Sequence, residues 1–384
     1  MRILHITPQP PSDRGGGGIG VAQTLVSLYR NHYEIDYVGP EIEEEDYARL
    51  YRTLFVLNKT EKIQQKIWDG LHGITNSRYR AWMDFTKTVD LSQYEAIVMD
   101  FTKQDYCLEV LENKRIFVRV HNVEVDFAFK DFRMRKTLKS YLVYHTNKKS
   151  EKRIVNQADA LVILTESDKA RLLELYPDVK ETKMTIIPVC LEEQKENTDN
   201  EEIKQGKSRL KILITGSLWF GGNYQGISWF IEQVYPMLNL EFELIIAGAK
   251  PSKKLKELLS VKENIRLIDS PPKMEPYFRE CDIVAAPVFD GAGMKVKIAE
   301  AFSYGKPVVG TSHAFIGYEK SDRRISYVAD SASDFCKAFS SYASLSQNEK
   351  RERNEIALST FKKEYSMQLS SQRWKQIIEG NLDD

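Results

Sequence analysis

The residues best placed to do chemistry lie in the second half of the chain, in Phe289-Asp-Gly-Ala-Gly-Met-Lys-Val-Lys-Ile-Ala-Glu300. Two glycines, Gly291 and Gly293, precede a helical pattern running over 295–304. A glycine-rich loop opening a helix turns backbone amides toward an anion, and the helix dipole favours negative charge there. Lys297 lies one turn in and can reach back toward a diphosphate. Glu300 stands three residues on and shares its face. A carboxylate in that place can accept two hydrogen bonds from a ribose diol, as acidic residues do in dinucleotide folds. The plainer alternative is a solvated Lys–Glu pair on a helix surface. Met294, Ile298, Ala301 and Phe302 read as core.

A second glycine loop, Arg14-Gly-Gly-Gly-Gly-Ile-Gly20, precedes the first helical pattern. Gly15, Gly17 and Gly20 satisfy G-x-G-x-x-G, but a dinucleotide fingerprint follows its strand directly. Here Pro8 to Arg14 intervene with three prolines, which argues against a dinucleotide-dependent oxidoreductase; a merely flexible loop is the other alternative. His121 ends an apolar run over 116–121, at the strand end where open α/β sheets bind ligands. It can donate to a sugar hydroxyl or an anionic oxygen, or be a buried histidine satisfied by backbone. The remaining histidines have no metal-ligand spacing and no D-x-D acid pair sits in a loop, so no metal site is expected.

These loops need elements to position them. Short β-rich runs alternate with longer helical ones, the rhythm of parallel α/β units. Strands are expected over 2–7, 33–39, 96–100, 116–121, 160–165 and 184–189, with a helix over 19–29. The stretch 43–88 reads as an inserted helical segment. After a polar stretch, strands are expected over 211–215, 242–247, 265–268, 282–286, 307–310 and 325–328, with helices over 226–237 and 295–304. The intervening 191–209 is almost free of apolar side chains and reads as a linker. The domains expected are therefore 1–190, the linker 191–209, a second unit 210–364, and a helical tail 365–384 with anchors at Phe361, Tyr365 and Trp374.

Composition narrows the class. The chain has 384 residues, 42% apolar and 29% charged, enough for two globular cores. Its 55 basic residues balance 55 acidic ones, so no whole-chain attraction to nucleic acid is expected. Four scattered cysteines suit reduced thiols. The first residues lack the apolar core of a signal peptide, and no run suits a membrane span. A cytoplasmic protein is expected, with attachment to the inner face of a membrane as one option. That option rests on residues 130–153, which hold nine Lys or Arg against two acids, with Tyr141, Leu142, Val143 and Tyr144 among them. They fit a basic amphipathic face for anionic lipid, or a solvated helix with a buried stripe.

Taken in order, these loops make the chain resemble glycosyltransferase family 4, the retaining GT-B enzymes. The segment 291–309 fits the pattern G-x-G-M-[RK]-x-K-[IV]-x-E-A-x-x-x-G-K-P-V-V. Gly216-Ser-Leu-Trp-Phe-Gly-Gly-Asn223 with Trp229-Phe230 looks like the start of a family donor domain. His121-Asn122 and Leu164-Thr-Glu166 also fit.

The resemblance implies a GT-B fold, two Rossmann-like parallel-sheet domains facing each other across a cleft, the tail helix returning to the first. It implies a nucleotide diphosphate sugar, UDP- or GDP-linked, as co-substrate, no resident cofactor, and a glycan, glycolipid or lipid-linked acceptor. Glu300 would bind ribose. Lys297 and the Gly291–Gly293 amides would hold the diphosphate, flanked by Met294 and Lys295, with Gly216, Ser217, Asn223, Asp290 and Ala292 around the donor. His121 would touch the transferring sugar, and Gly16, Gly17 and Gly18 would close over it. No close carboxylate pair for a covalent route is evident, so the implied route is front-face attack. Two positions depart from the family. The first Glu of its E-x7-E pattern is Ala292, leaving that sugar contact absent or supplied by Asp290. A second phosphate-binding cation is replaced by Asn223 and Gln225-Gly226. A non-catalytic GT-B subunit and a GT-B sugar-nucleotide epimerase are therefore the competing readings.

Overall fold

The structure, a computed structural model, describes residues 1–13, 17–59, 77–194, 209–260, 262, 264–291 and 293–380. It divides into two units: Met1–Pro188 with Ser370–Asp384, and Val189–Leu369.

The first unit is built on seven parallel strands: β1 (Arg2–Ile6), β2 (Glu34–Gly39), β3 (Thr53–Val56), β4 (Ala96–Asp100), β5 (Arg115–Val120), β6 (Ala160–Ile163) and β7 (Met184–Ile186). Their order is β3-β2-β1-β4-β5-β6-β7. β4 and β6 are buried along their whole length, as strands covered on both faces by helices must be. The stretch 43–88 is not simply helical. Thr53–Val56 is an edge strand pairing in parallel with Asp36–Gly39, between the short helix Glu45–Ala48 and the helix Tyr79–Thr88. Residues 60–76 lie outside the described part.

The second unit has six parallel strands: β8 (Leu210–Thr215), β9 (Phe242–Gly248), β10 (Ile265–Asp269), β11 (Ile283–Ala286), β12 (Val308–Gly310) and β13 (Ser326–Val328). Their order is β10-β9-β8-β11-β12-β13. Its core gathers Ile212, Ile214, Leu244, Ile246, Ile283 and Ala285 under the helix-derived Phe230, Phe335 and Phe339. The helix expected over 226–237 begins earlier, at Gly221, and continues from Phe230 as a π turn.

Residues 191–194 belong to the second unit instead of a linker: Leu191 bridges Ser366, and the Tyr304 hydroxyl donates to Gln194 Oε1 at 3.0 Å. Residues 195–208 are outside the described part. The first unit recovers the chain at Ser370. There Ser27 and Ser370 hydroxyls meet at 2.7 Å, Asn31 Nδ2 donates to Ser371 O at 2.8 Å, and Trp374 is fully buried.

In both sheets the strand order reverses once, between β1 and β4 and between β8 and β11. The crevice at such a switch point, beyond the carboxyl ends of the strands, is where open α/β sheets hold ligands. Each unit places its candidate residues there.

Candidate active site

In the first unit the switch-point strands converge on one carboxylate. β1 carries His5, β4 ends at Asp100, and His121 follows β5. His5 Nε2 meets Asp100 Oδ2 at 2.5 Å and His121 Nε2 meets Oδ1 at 2.7 Å. The Thr24 hydroxyl donates to Oδ1 at 2.9 Å, and Tyr51 OH meets His5 Nδ1 at 2.8 Å. All five side chains are buried. Burial alone would push the Asp100 carboxyl up, but hydrogen bonds from His121 and His5 outweigh it and hold it well below the usual carboxylate range.

A carboxylate only accepts, so each Nε2 must carry its proton. The neutral His121 ring therefore keeps its lone pair on Nδ1. That edge faces Gly20: a Cβ there would sit 2.2 Å from Cε1 and 2.3 Å from Nδ1, so only glycine lets the first turn of helix Gly17–Arg30 lie against the ring. Burial lowers the His121 pKa, with Asp100 opposing. The positive end of the neighbouring helix works in the same direction. The ring is thus a fixed neutral tautomer, presenting an acceptor where the sequence suggested a donor, and its buried partner is a side chain instead of backbone. Phe101 packs against it, the rings tilted by 31° with centroids 4.2 Å apart. Gly17 and Gly18 are the first residues of the helix, and Gly18 O accepts from Ser12 N at 3.1 Å; Gly16 is outside the described residues.

In the second unit the β8 and β11 loops meet. Lys297 Nζ donates to Asn223 Oδ1 at 3.0 Å, and Asn223 Nδ2 donates to Ser217 O at 3.1 Å. Gly216 has φ +142, and a Cβ on it would lie 2.7 Å from Asn223 Nδ2 and 3.2 Å from Lys297 Nζ; glycine is the condition for this contact. Helix Val296–Ser303 has no side-chain cap; Ile298 N donates to Lys295 O at 3.0 Å, and the amides of Val296 and Lys297 at its first turn have no intrahelical acceptor. The Tyr318 hydroxyl fixes that helix start, donating to Lys295 O at 2.9 Å and accepting from Ala299 N at 3.3 Å.

Burial lowers Lys297 to about 8, Lys295 adding to the effect and Glu300 opposing it. Burial raises Glu300 to about 7, Lys297 opposing it. The Glu300 carboxylate accepts no hydrogen bond among the described residues. Lys295 differs from expectation: its ammonium donates to Gly291 O at 2.8 Å and Gly293 O at 2.7 Å, holding the loop in shape. His313, which the sequence did not single out, meets Gly291 O at 2.9 Å. Asp290 Oδ1 accepts from Gly291 N at 2.6 Å, so that amide is occupied. Met294 is buried, and its Sδ accepts from Val189 N at 3.3 Å. Ala292 lies outside the described residues. A carboxylate and an ammonium on the first turns of a helix without a side-chain cap suit a nucleoside diphosphate.

Residues 209–343 match the family model described as Glycosyl transferases group 1. This part of the chain is a glycosyltransferase domain. Across 81% of the chain and 82% of the relative, the sequence is 26% identical to an uncharacterized 44.6 kDa protein in the cps region of Klebsiella pneumoniae. Among solved structures it is similar to sucrose-phosphate synthase from Thermosynechococcus elongatus, at TM-score 0.73 and 13% identity over 98% of both chains. It is likewise similar to Anabaena HepE in complex with UDP-glucose, at TM-score 0.71 and 11% identity over 99% of this chain and 100% of that one. At these identities the likeness is one of fold, and that fold is GT-B.

In the glycosyltransferase domain, then, Gly216, Ser217, Asn223, Lys297 and Glu300 are brought together, while Gly291 and Gly293 are held by Lys295. His121 lies in the other unit with His5, Thr24, Tyr51 and Asp100, none of which the sequence marked. The available signal was a polar residue at the carboxyl end of an otherwise apolar strand. No group of three His, Cys, Asp or Glu side chains that could hold a metal ion occurs among the described residues.

Proposed function

We propose that the protein transfers a sugar, with retained configuration, from a nucleotide diphosphate sugar, UDP- or GDP-linked, to a glycan, glycolipid or lipid-linked acceptor. The observation that carries this reading is the Lys297–Asn223 contact beside the open Glu300 carboxylate, over the uncapped start of helix Val296–Ser303. The diphosphate lies on that helix start with Lys297 against it, and the ribose hydroxyls donate to Glu300. In the reaction the anomeric carbon–phosphate oxygen bond breaks and a bond to the acceptor oxygen forms on the same face. The acceptor proton passes to the departing diphosphate oxygen. The protein contributes position and charge stabilisation instead of a covalent nucleophile. Lys297 and the helix amides meet the charge that grows on the leaving group, so the reading contains no metal ion. In the first unit His121, kept neutral by burial and oriented by Asp100, has Nδ1 as its remaining acceptor.

The test is a thermal-shift screen of nucleotide diphosphate sugars on the wild type and on Lys297→Ala. A ligand at 100 times its dissociation constant stabilises the fold by about 2.7 kcal/mol. One donor class should raise the melting temperature of the wild type and not of the variant. If no sugar nucleotide shifts the wild type at saturating concentration, the transferase reading fails and the non-catalytic subunit takes its place.

A further inference from the structure

The hairpin of helices Glu124–Arg135 and Leu138–Gln157 in the first unit has an outer end that no part of the proposed transfer uses. The two helices are tied at their base. Glu151, buried, accepts the backbone amides of Glu124 and Val125 at 2.9 and 3.2 Å. Along their length, Phe129 meets Tyr144 and Phe132 meets Tyr141, with ring centroids 5.3 and 5.5 Å apart. The turn is also fixed: Lys136 takes a left-handed conformation at φ 51, and Thr137 and Ser140 form a reciprocal capping box. The outer end is therefore a built feature. Every residue from Arg133 to Lys139 on it is exposed.

That end is apolar and basic at once. Met134 is 69% exposed, Leu138 74% and Leu142 55%, joined by Phe127, Tyr141 and Val143. Phe127 and Met134, seven apart, share one helix face, and Leu138 and Leu142, four apart, share another. Between Phe127 and Lys149 the chain carries seven Lys or Arg and one acid, Asp131, which pairs with Arg135 at 2.7 Å. Apolar side chains so exposed mark a surface that is covered in use. Two features decide what covers it. Lysine is depleted from the cores of protein interfaces, yet here Lys136 and Lys139 flank Leu138. The turn is exposed throughout, and the mixture of Lys/Arg with Phe and Leu is that of helices lying at a lipid interface.

We infer that this hairpin end docks on an anionic bilayer surface, Met134, Leu138 and Leu142 entering the headgroup region while Lys130, Arg133, Lys136 and Lys139 meet lipid phosphates. No helix among the described residues is long and apolar enough to cross a membrane, so this contact is peripheral. It stands independently of the transferase reading, because lipid binding is measured without a sugar donor.

The experiment is flotation of the full chain with phosphatidylcholine vesicles, with and without phosphatidylglycerol. Binding is expected only to the anionic vesicles and is expected to weaken as salt rises. Lys136→Gln and Lys139→Gln should each weaken it about fivefold. Met134→Ser and Leu138→Ser should each weaken it about tenfold or more at any salt concentration. All four positions are exposed, so unchanged melting temperatures will show that the variants fold. Absence of binding, equal binding to neutral and anionic vesicles, or binding that these variants leave unchanged each overturns the inference.

Discussion

Asp100→Asn separates the roles of charge and geometry at the buried carboxylate. Thr24 and His121 both use Oδ1, whereas His5 alone uses Oδ2. An asparagine with its oxygen in the Oδ1 place keeps the first two bonds and turns an amide nitrogen toward His5. Two donors would then face each other unless His5 moves its proton to Nδ1, where the Tyr51 hydroxyl can accept it. The cost is one charge-assisted bond becoming neutral and two others weakening, about 2–3 kcal/mol. For a unit of this size that corresponds to a fall in melting temperature of about 5–10 °C. Asp100→Ala leaves both imidazoles and Thr24 without an acceptor and should cost about 3–5 kcal/mol. The carboxylate's pKa is depressed, so its stabilisation is full above the unfolded value of 3.8 and is lost as pH falls through the lower native value. The gap between wild type and Asp100→Asn should therefore close on acidification below that point. Nitrogen NMR of the imidazoles reads the tautomers directly. His121 should remain protonated at Nε2 in Asp100→Asn, and its pKa should fall further, while His5 switches to Nδ1. Donor turnover should survive Asp100→Asn largely intact and fall about 10–100-fold in Asp100→Ala. Equal stability losses in the two variants, or a switch at His121 instead of His5, would refute the reasoning.

Three further outcomes are expected. Lys297→Met should raise the dissociation constant of the cognate nucleotide diphosphate about 10–150-fold by calorimetry, the value of a charge-assisted hydrogen bond, without lowering the melting temperature of the free protein; a change under twofold would sink the assignment. Nucleotide affinity should peak between pH 7 and 8, because Glu300 protonates below about 7 and Lys297 loses its proton above about 8; a flat titration from pH 6 to 10 would contradict it. The same shifts make the free second unit least stable between those values: Glu300 removes stability as pH rises from 4.5 to 7, and Lys297 restores it from 8 to 10.5. Gly20→Ala should cost about 1–3 kcal/mol by driving a methyl group into His121, and should lower turnover more than donor affinity, read as kcat against KM.

The alternation of apolar strands and helices made both sheets legible, along with the loop carrying Lys297 and Glu300. The edge strand Thr53–Val56 was not: its burial alternates along four residues, too few to set a period against the helices on either side. Helix Gly221–Trp229 was placed five residues late because Gly221 and Gly222 are poor helix formers. His5 and Asp100 stand 95 residues apart, and only the pairing of β1 with β4 makes them neighbours. Lys295 could be read as a phosphate cation from its position alone. The loop carbonyls that it donates to, those of Gly291 and Gly293 among them, depend on the positive φ of these two glycines, which residue type permits without requiring.

The same geometry bears on Asn223, where the family resemblance led one to expect a second cation. A recessed ammonium already held at about 8 by burial and by Lys295 would be pushed lower by another positive charge in contact. At an effective dielectric of about 20, a unit charge 4 Å away is worth about 4 kcal/mol, which would leave Lys297 largely neutral near pH 7. Asn223 instead offers its oxygen to Lys297 and its amide nitrogen to Ser217. It orients the ammonium without competing with it for a proton. An uncharged partner at this position is thus compatible with diphosphate binding, provided that Lys297 remains the cation that does it. Asn223→Arg should accordingly weaken nucleotide binding in the free protein at pH 8 and above. Stronger binding at that pH would mean that the site had lacked a charge.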